Sequence, residues 1–138
     1  MSYLLDTDVV SEIRKGPRGD PGVRRWFEDA QDASLHLSVV TVGEVRRGIE
    51  LRRRTDRVAA CALEQWLARV LEMHAPRVLP VDREVAEQWG RLGIPHRLPV
   101  ADGLIAATAL VHDLTIVTRN VRDMGRTGAR ILDPFTTT

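Results

Sequence analysis

The sequence predicts an α/β domain in which a mostly parallel sheet lies between two layers of helices. Three observations carry that expectation. Short β-like runs alternate along the chain with segments whose apolar residues recur at helical spacing, the pattern of strand-helix units feeding a parallel sheet. One segment, residues 101–112, is apolar at almost every position, as a buried helix must be. A chain of 138 residues with 43% hydrophobic and 28% charged side chains is long enough for one core and too short for two comfortable ones, so residues 1–138 are read as a single domain.

Taken in order, Tyr3-Leu4-Leu5 reads as a strand that breaks off at Asp6-Thr7-Asp8, and a short helix follows to about Lys15. The Gly-Pro punctuation of residues 16–22 is a loop, at the end of which Asp20-Pro21 gives the cap-then-proline start of a helix carrying Val23, Trp26 and Phe27. Residues 35–40 are β-like. Thr41 then opens a helix to about Arg54, and a long helix over 55–75 sets Val58, Cys61, Ala62, Leu67 and Leu71 at helical spacing until Pro76 ends it. Residues 78–81 form the third strand, Asp82 caps a helix to about Leu92, and Gly93-Ile94-Pro95 is a loop. The apolar helix over 101–112, a strand over 114–117 and a last strand over 130–132 complete five strands.

The bulk charge says little, because a net charge of +1 and a pI near 8.0 give no general basic character. The distribution says more, since positive charge gathers in Arg46-Arg47 and Arg52-Arg53-Arg54. Cys61 is the sole cysteine, which rules out an internal disulfide and fits a reducing compartment. No secretory pattern heads the chain. The longest apolar stretch, Leu104 to Val111, is far short of the ~20 residues that cross a bilayer. A cytoplasmic protein with no membrane association is expected.

In parallel sheets function gathers beyond the carboxyl ends of the strands. Asp6 directly follows the first strand, Glu44 lies in the helix after the second, Asp102 starts the buried helix, and Asp123 lies shortly after the fourth strand. Each has a bland alternative. Asp6 and Asp8 fit a helix cap, Thr41 and Glu44 fit a capping box, Asp102 fits the positive end of a helix dipole, and Asp123 fits a surface ion pair in an Arg-rich loop. Together they point elsewhere, because carboxylates ~5 Å apart repel by roughly 3 kcal/mol at an effective dielectric near 20. Raised pKa values or a cation would relieve that cost. All-oxygen donors favour Mg²⁺ or Mn²⁺, and the dispersed His36, His74, His96 and His112 show no zinc spacing.

The phrases L-L-D-T-D-V-V-S-E, S-V-V-T-V-G-E-V-R-R-G-I, A-D-G-L-I-A-A-T-A, I-V-T-R-N-V-R-D-M and I-L-D-P-F, in this order, resemble the PIN-domain ribonucleases. The likeness is to the VapC toxins of type II toxin-antitoxin pairs and their FitB-like relatives, and it spans essentially the whole chain. The resemblance implies a three-layer αβα domain around a five-stranded parallel sheet and a Mg²⁺- or Mn²⁺-dependent hydrolysis of RNA phosphodiesters. It implies a metal site of Asp6, Glu44 and Asp102, completed by an acid of the T-R-N-x-x-D segment. Many relatives carry an acid where this chain has Asn120, so the fourth position is open between Asn120 and Asp123, with Thr118 supporting a carboxylate or water from behind. It further implies a homodimer and a VapB-like antitoxin that covers the cleft. Arg46, Arg47, Arg97, Arg119, Arg122 and Arg126 are the candidates for gripping RNA phosphates, each with a solvated surface position as its alternative. The long helix with Trp66 and Leu67 serves either an interface or the core.

Two competing readings stand beside this one. Asp6-Thr7-Asp8-Val9-Val10 also fits the opening of the haloacid-dehalogenase phosphatases, with Asp6 as nucleophile and Asp8 as general acid. That family and the receiver domains need a late lysine, and the only lysine here is Lys15. The other reading is a non-catalytic interaction domain in which the acids are caps and the arginines bind a partner.

Overall fold

The computed structural model describes residues 1–93 and 97–136, so Ile94, Pro95 and His96 of the expected loop region lie outside it. Within the described residues five short strands, β1 (Tyr3–Leu5), β2 (Leu35–Ser38), β3 (Val78–Leu79), β4 (Thr115–Val117) and β5 (Ile131–Leu132), make one sheet in the order β3-β2-β1-β4-β5. Every pairing is parallel, as the strand-helix alternation requires. The helices are α1 (Thr7–Arg14), α2 (Pro21–Asp29), α3 (Val39–Arg53), α4 (Arg57–Met73), α5 (Arg83–Arg91), α6 (Val100–His112) and α7 (Val121–Gly125). The expected α/β sandwich with a central five-stranded parallel sheet is what forms. Among the described residues no helix is long and apolar enough to cross a membrane.

Period-two alternation splits the core into two layers. Leu4 and Ile116 face Ile105, Ala106 and Ala109 of α6 and Met124 of α7. Leu5, Leu35, Leu37 and Val117 face the other way, onto Val9 and Val10 of α1 and Val23 of α2, with Tyr3, Trp26, Phe27 and Trp66 partly buried around them. Burying a side chain such as Leu4 or Ile116 completely contributes about 1.5–3 kcal/mol. A third cluster of Ile49, Ala60 and Leu67 fastens α3 to α4. Leu67 therefore serves the core, while Trp66 packs against it with one side and stays partly exposed on the other.

Several boundaries differ from expectation, each for a local reason. β2 stops at Ser38, whose hydroxyl accepts the Val40 N–H at 3.0 Å, so Val39 and Val40 begin α3 and do not extend the strand. β3 ends at Leu79 because Pro80 has no N–H to continue the ladder. α4 starts at Arg57, its end closed by Asp56 accepting the Ala59 N–H. The segment after β4, expected as an Arg-rich loop, contains α7.

Candidate active site at the carboxyl edge of the sheet

The central strand delivers Asp6. Its N–H donates to the Val117 carbonyl at 3.0 Å, extending the β1-β4 ladder by one residue and fixing the side chain at the rim. Asp6 Oδ1 accepts the Thr7 N–H at 2.8 Å and caps α1, while Oδ2 accepts the Thr118 hydroxyl at 2.7 Å. Thr118 is itself locked: its N–H donates to the Leu132 carbonyl, and its oxygen accepts the Asn120 N–H at 2.9 Å. The single hydroxyl proton of Thr118 is thus committed to Asp6.

Glu44 comes from α3. Its Oε1 accepts the Thr7 hydroxyl at 2.5 Å, with the Thr41 hydroxyl 3.5 Å from that of Thr7. The capping-box alternative for Thr41 and Glu44 fails, because α3 starts at Val39 under the Ser38 cap and leaves Glu44 beyond the first turn. The dipole alternative holds for Asp102 in position alone: it lies in the first turn of α6, but Pro99 precedes that helix and no side chain among the described residues caps it. Asp123 lies in the first turn of α7 and is half-buried.

Electrostatics bring these acids together. Burial raises the pKa of Asp102 above the ordinary carboxylate range, and the charges of Asp6, Glu44 and Asp123 raise it further. Burial likewise raises Asp6, against the opposing hydrogen bonds from Thr118 and Thr7, and Glu44 adds to the rise. Four acids from four elements therefore share one neighbourhood. Among the described residues no three of them close into a preformed metal shell. Asp8, expected as a cap, instead sits inside the first turn of α1: Oδ2 accepts the Arg119 N–H at 3.0 Å, and Oδ1 is buried with no partner among the described residues. Burial, followed by the Asp6 charge, pushes its pKa up to about 6.

The arginines separate into groups. Arg46 is held by Glu64 at 2.7 Å and Glu50 at 3.4 Å, and Arg53 bridges the same two acids, so much of the basic α3 segment is neutralised within the fold. The Arg119 guanidinium stacks on Phe135, 4.7 Å from the ring centroid. Arg47, Arg97, Arg122 and Arg126 are exposed. Thr7 was not among the sequence candidates, although its place between two acids at the first position of a helix was a usable signal.

A PIN domain family model matches residues 3–129. The chain belongs to the PIN-domain family. Its similarity runs to the FitB and VapC branch: toxin FitB of Neisseria gonorrhoeae is 32% identical over 139 residues, covering 96% of this chain and 97% of that protein. VapC ribonuclease Y4jK of Sinorhizobium fredii is 33% identical over 141 residues, covering 96% of each. The crystal structure of FitAcB from Neisseria gonorrhoeae shares 30% identity and superposes with a TM-score of 0.87 over 96% of this chain and 97% of that one. PIN-domain membership removes the haloacid-dehalogenase reading, as does the position of Asp8, whose Oδ2 is taken by the Arg119 backbone.

Proposed function

We propose that this PIN domain, read as one domain over residues 1–138, is an endoribonuclease that hydrolyses RNA phosphodiesters with Mg²⁺ or Mn²⁺ and acts as the toxin of a toxin-antitoxin pair. The toxin and ribonuclease names of the similar FitB and VapC proteins support the class. The observation that carries the chemistry is the convergence of charge on Asp102, which feels Asp6, Glu44 and Asp123 together. That arrangement is costly without a cation and suits hard, oxygen-only ligation. Asp6, Glu44 and Asp102 are the proposed ligands. The fourth place goes to Asp123, whose charge reaches Asp102, in preference to Asn120.

The protein's own part is positioning. Thr118 and the Thr7 N–H fix the Asp6 carboxylate, and the Thr7 hydroxyl steers Glu44 toward the same rim. When bound between these carboxylates, a divalent ion would supply charge neutralisation at the phosphate and lower the pKa of a water. Arg47, Arg97, Arg119, Arg122 and Arg126 stand as candidate phosphate contacts, and Arg46 as a weaker one because Glu64 already holds it. A VapB-like antitoxin, a homodimer and a cytoplasmic setting complete the proposal.

The test is cleavage of RNA by the purified chain with Mg²⁺ or Mn²⁺ and with chelator. Cutting that stops with chelator, and falls more than ~100-fold in Asp102→Asn with an unchanged melt, is expected. RNA retained but uncut in saturating metal would favour the interaction-domain reading, and a fully active Asp102→Asn would remove the site assignment.

A further inference from the structure

Between α1, α3 and α4 a groove leads away from the carboxylate rim. Its near part, about 250 Å³, is walled by Thr7 and Glu44 of the site together with Ser11, Arg14, Arg52 and Trp66. Its far part, about 660 Å³, shares Arg14, Arg52 and Trp66 and adds Lys15, Arg18 and Arg69. Helical spacing builds it. Thr7, Ser11 and Arg14 stand four and then three residues apart on one face of α1, and Arg18 follows in the 3₁₀ turn Gly16–Arg18. On the facing helices, Gly48, Ala59 and Ala62 are too small to close the seam, so a channel remains.

Much of the charge of this channel is uncompensated. Arg14, Arg18 and Arg69 form no ion pair among the described residues, and Arg52 reaches Asp56 only at 3.7 Å. Lys15 is paired, with Glu12. Arg46 and Arg53, by contrast, are tied to Glu50 and Glu64. Among the described residues no acid lines the far part, and the near part opens on Glu44. A cationic trough continuous with an acidic site suits a polyanion whose chain runs through both.

We infer that this groove is the track of the RNA strand on one side of the bond to be cut, with Arg14, Arg18 and Arg69 gripping backbone phosphates and Trp66 forming the floor. These three arginines are distinct from those the sequence suggested, and the inference rests on the ribonuclease reading above. Phosphate contacts of this kind confer affinity and salt dependence without reading sequence.

The experiment measures anisotropy of a labelled single-stranded RNA of ~12 nucleotides with the full chain, in chelator so that nothing is cut, over a range of salt. The triple variant Arg14→Ala, Arg18→Ala, Arg69→Ala should bind at least ~10-fold more weakly at low salt and lose about 2 from the slope of log Kd against log salt. Lysine at the same three positions should restore most of both, which separates charge from folding. A control triple of equal charge, Arg25→Ala, Arg83→Ala, Arg91→Ala, should leave the slope unchanged. An unaltered Kd and slope in the groove triple overturns the inference, as does an equal loss in the control triple. So does a groove triple that keeps its RNA affinity but loses an acidic protein partner. If the wild-type chain cuts while the groove triple binds as wild type, the groove fails and the nuclease stands. If the wild-type chain shows the full binding pattern but never cuts in metal, the nuclease fails and the groove stands.

Discussion

Asp8 carries a buried carboxylate oxygen, Oδ1, that nothing among the described residues satisfies. With its pKa pushed up to about 6 by burial and then by Asp6, the folded chain holds this proton more tightly than the unfolded chain does. The ionised form therefore costs stability, and the cost grows as pH rises from the ordinary carboxylate range to about 6. Asp8→Asn keeps an acceptor for the Arg119 N–H and removes the charge. Urea unfolding at pH 8 should show a gain of ~1 kcal/mol, a figure reduced for partial solvent access, and the gain should vanish near pH 4. A net loss at pH 8 contradicts the assignment. Thr118→Val tests the opposite kind of contact, because it keeps the shape of a fully buried side chain but removes the O–H that orients Asp6. A loss of ~1–3 kcal/mol is expected, with cleavage reduced ~10–100-fold and metal affinity weakened. At this scale Asp6, Glu44 and Asp102 were legible as acids just past strand ends. The Asp6–Thr118 bond was not legible as a contact, because the residues are 112 positions apart and only the β1-β4 pairing makes them neighbours.

Among the elements, α3 shows how a short polar signal overrides an apolar one. Val39-Val40 read as strand because β-branched residues favour it, yet the buried Ser38 hydroxyl closes the helix end one residue earlier. Ser38→Ala should cost ~1–2 kcal/mol in urea unfolding. Because α3 carries Glu44, its cleavage rate should fall as well, by less than in Asp102→Asn. An unchanged unfolding curve would mean that packing alone sets the helix start. The helix α7 escaped sequence reading for a different reason: five residues are too few to display a helical period. The proline-marked start of α2 and the apolar α6 were legible at once, since Asp20-Pro21 is a local signal and α6 is buried along most of its length.

For the molecule as a whole, the strand order β3-β2-β1-β4-β5 puts the first strand at the centre, so that the charge of Asp6 meets Glu44 of α3 and Asp102 of α6, and Asp102 in turn feels Asp123 of α7. The alternation of strands and helices made the parallel sheet legible, but not which strands flank β1, and so not which acids would meet. The consequence is a fold that stores repulsion at one rim. Asp6 and Asp102 have raised pKa values in the folded state, so in metal-free buffer they bind protons more tightly folded than unfolded. Their contribution lowers stability as pH climbs beyond the ordinary carboxylate range. Asp20 works in the opposite sense: its desolvation is outweighed by the Thr136 and Val23 N–H groups, which hold it below that range. Its stabilisation is present above its unfolded pKa and is lost only as pH falls below about 4. The window from about pH 5 to 8 therefore excludes Asp20; within it Asp8, pushed up to about 6, adds to the effect of the site, and His74, lowered by burial, opposes it. Metal-free protein should melt at a lower temperature at pH 8 than at pH 5. Saturating Mg²⁺ or Mn²⁺ should raise the melt by several degrees at pH 8, since a ligand at ~100 times its Kd adds about 2.7 kcal/mol. The rise should be smaller at pH 5, where the carboxylates must first lose protons, and should shrink in Asp102→Asn. A melt that metal leaves unchanged at pH 8 argues that no cation relieves this rim, and an equal rise in Asp102→Asn places the cation elsewhere.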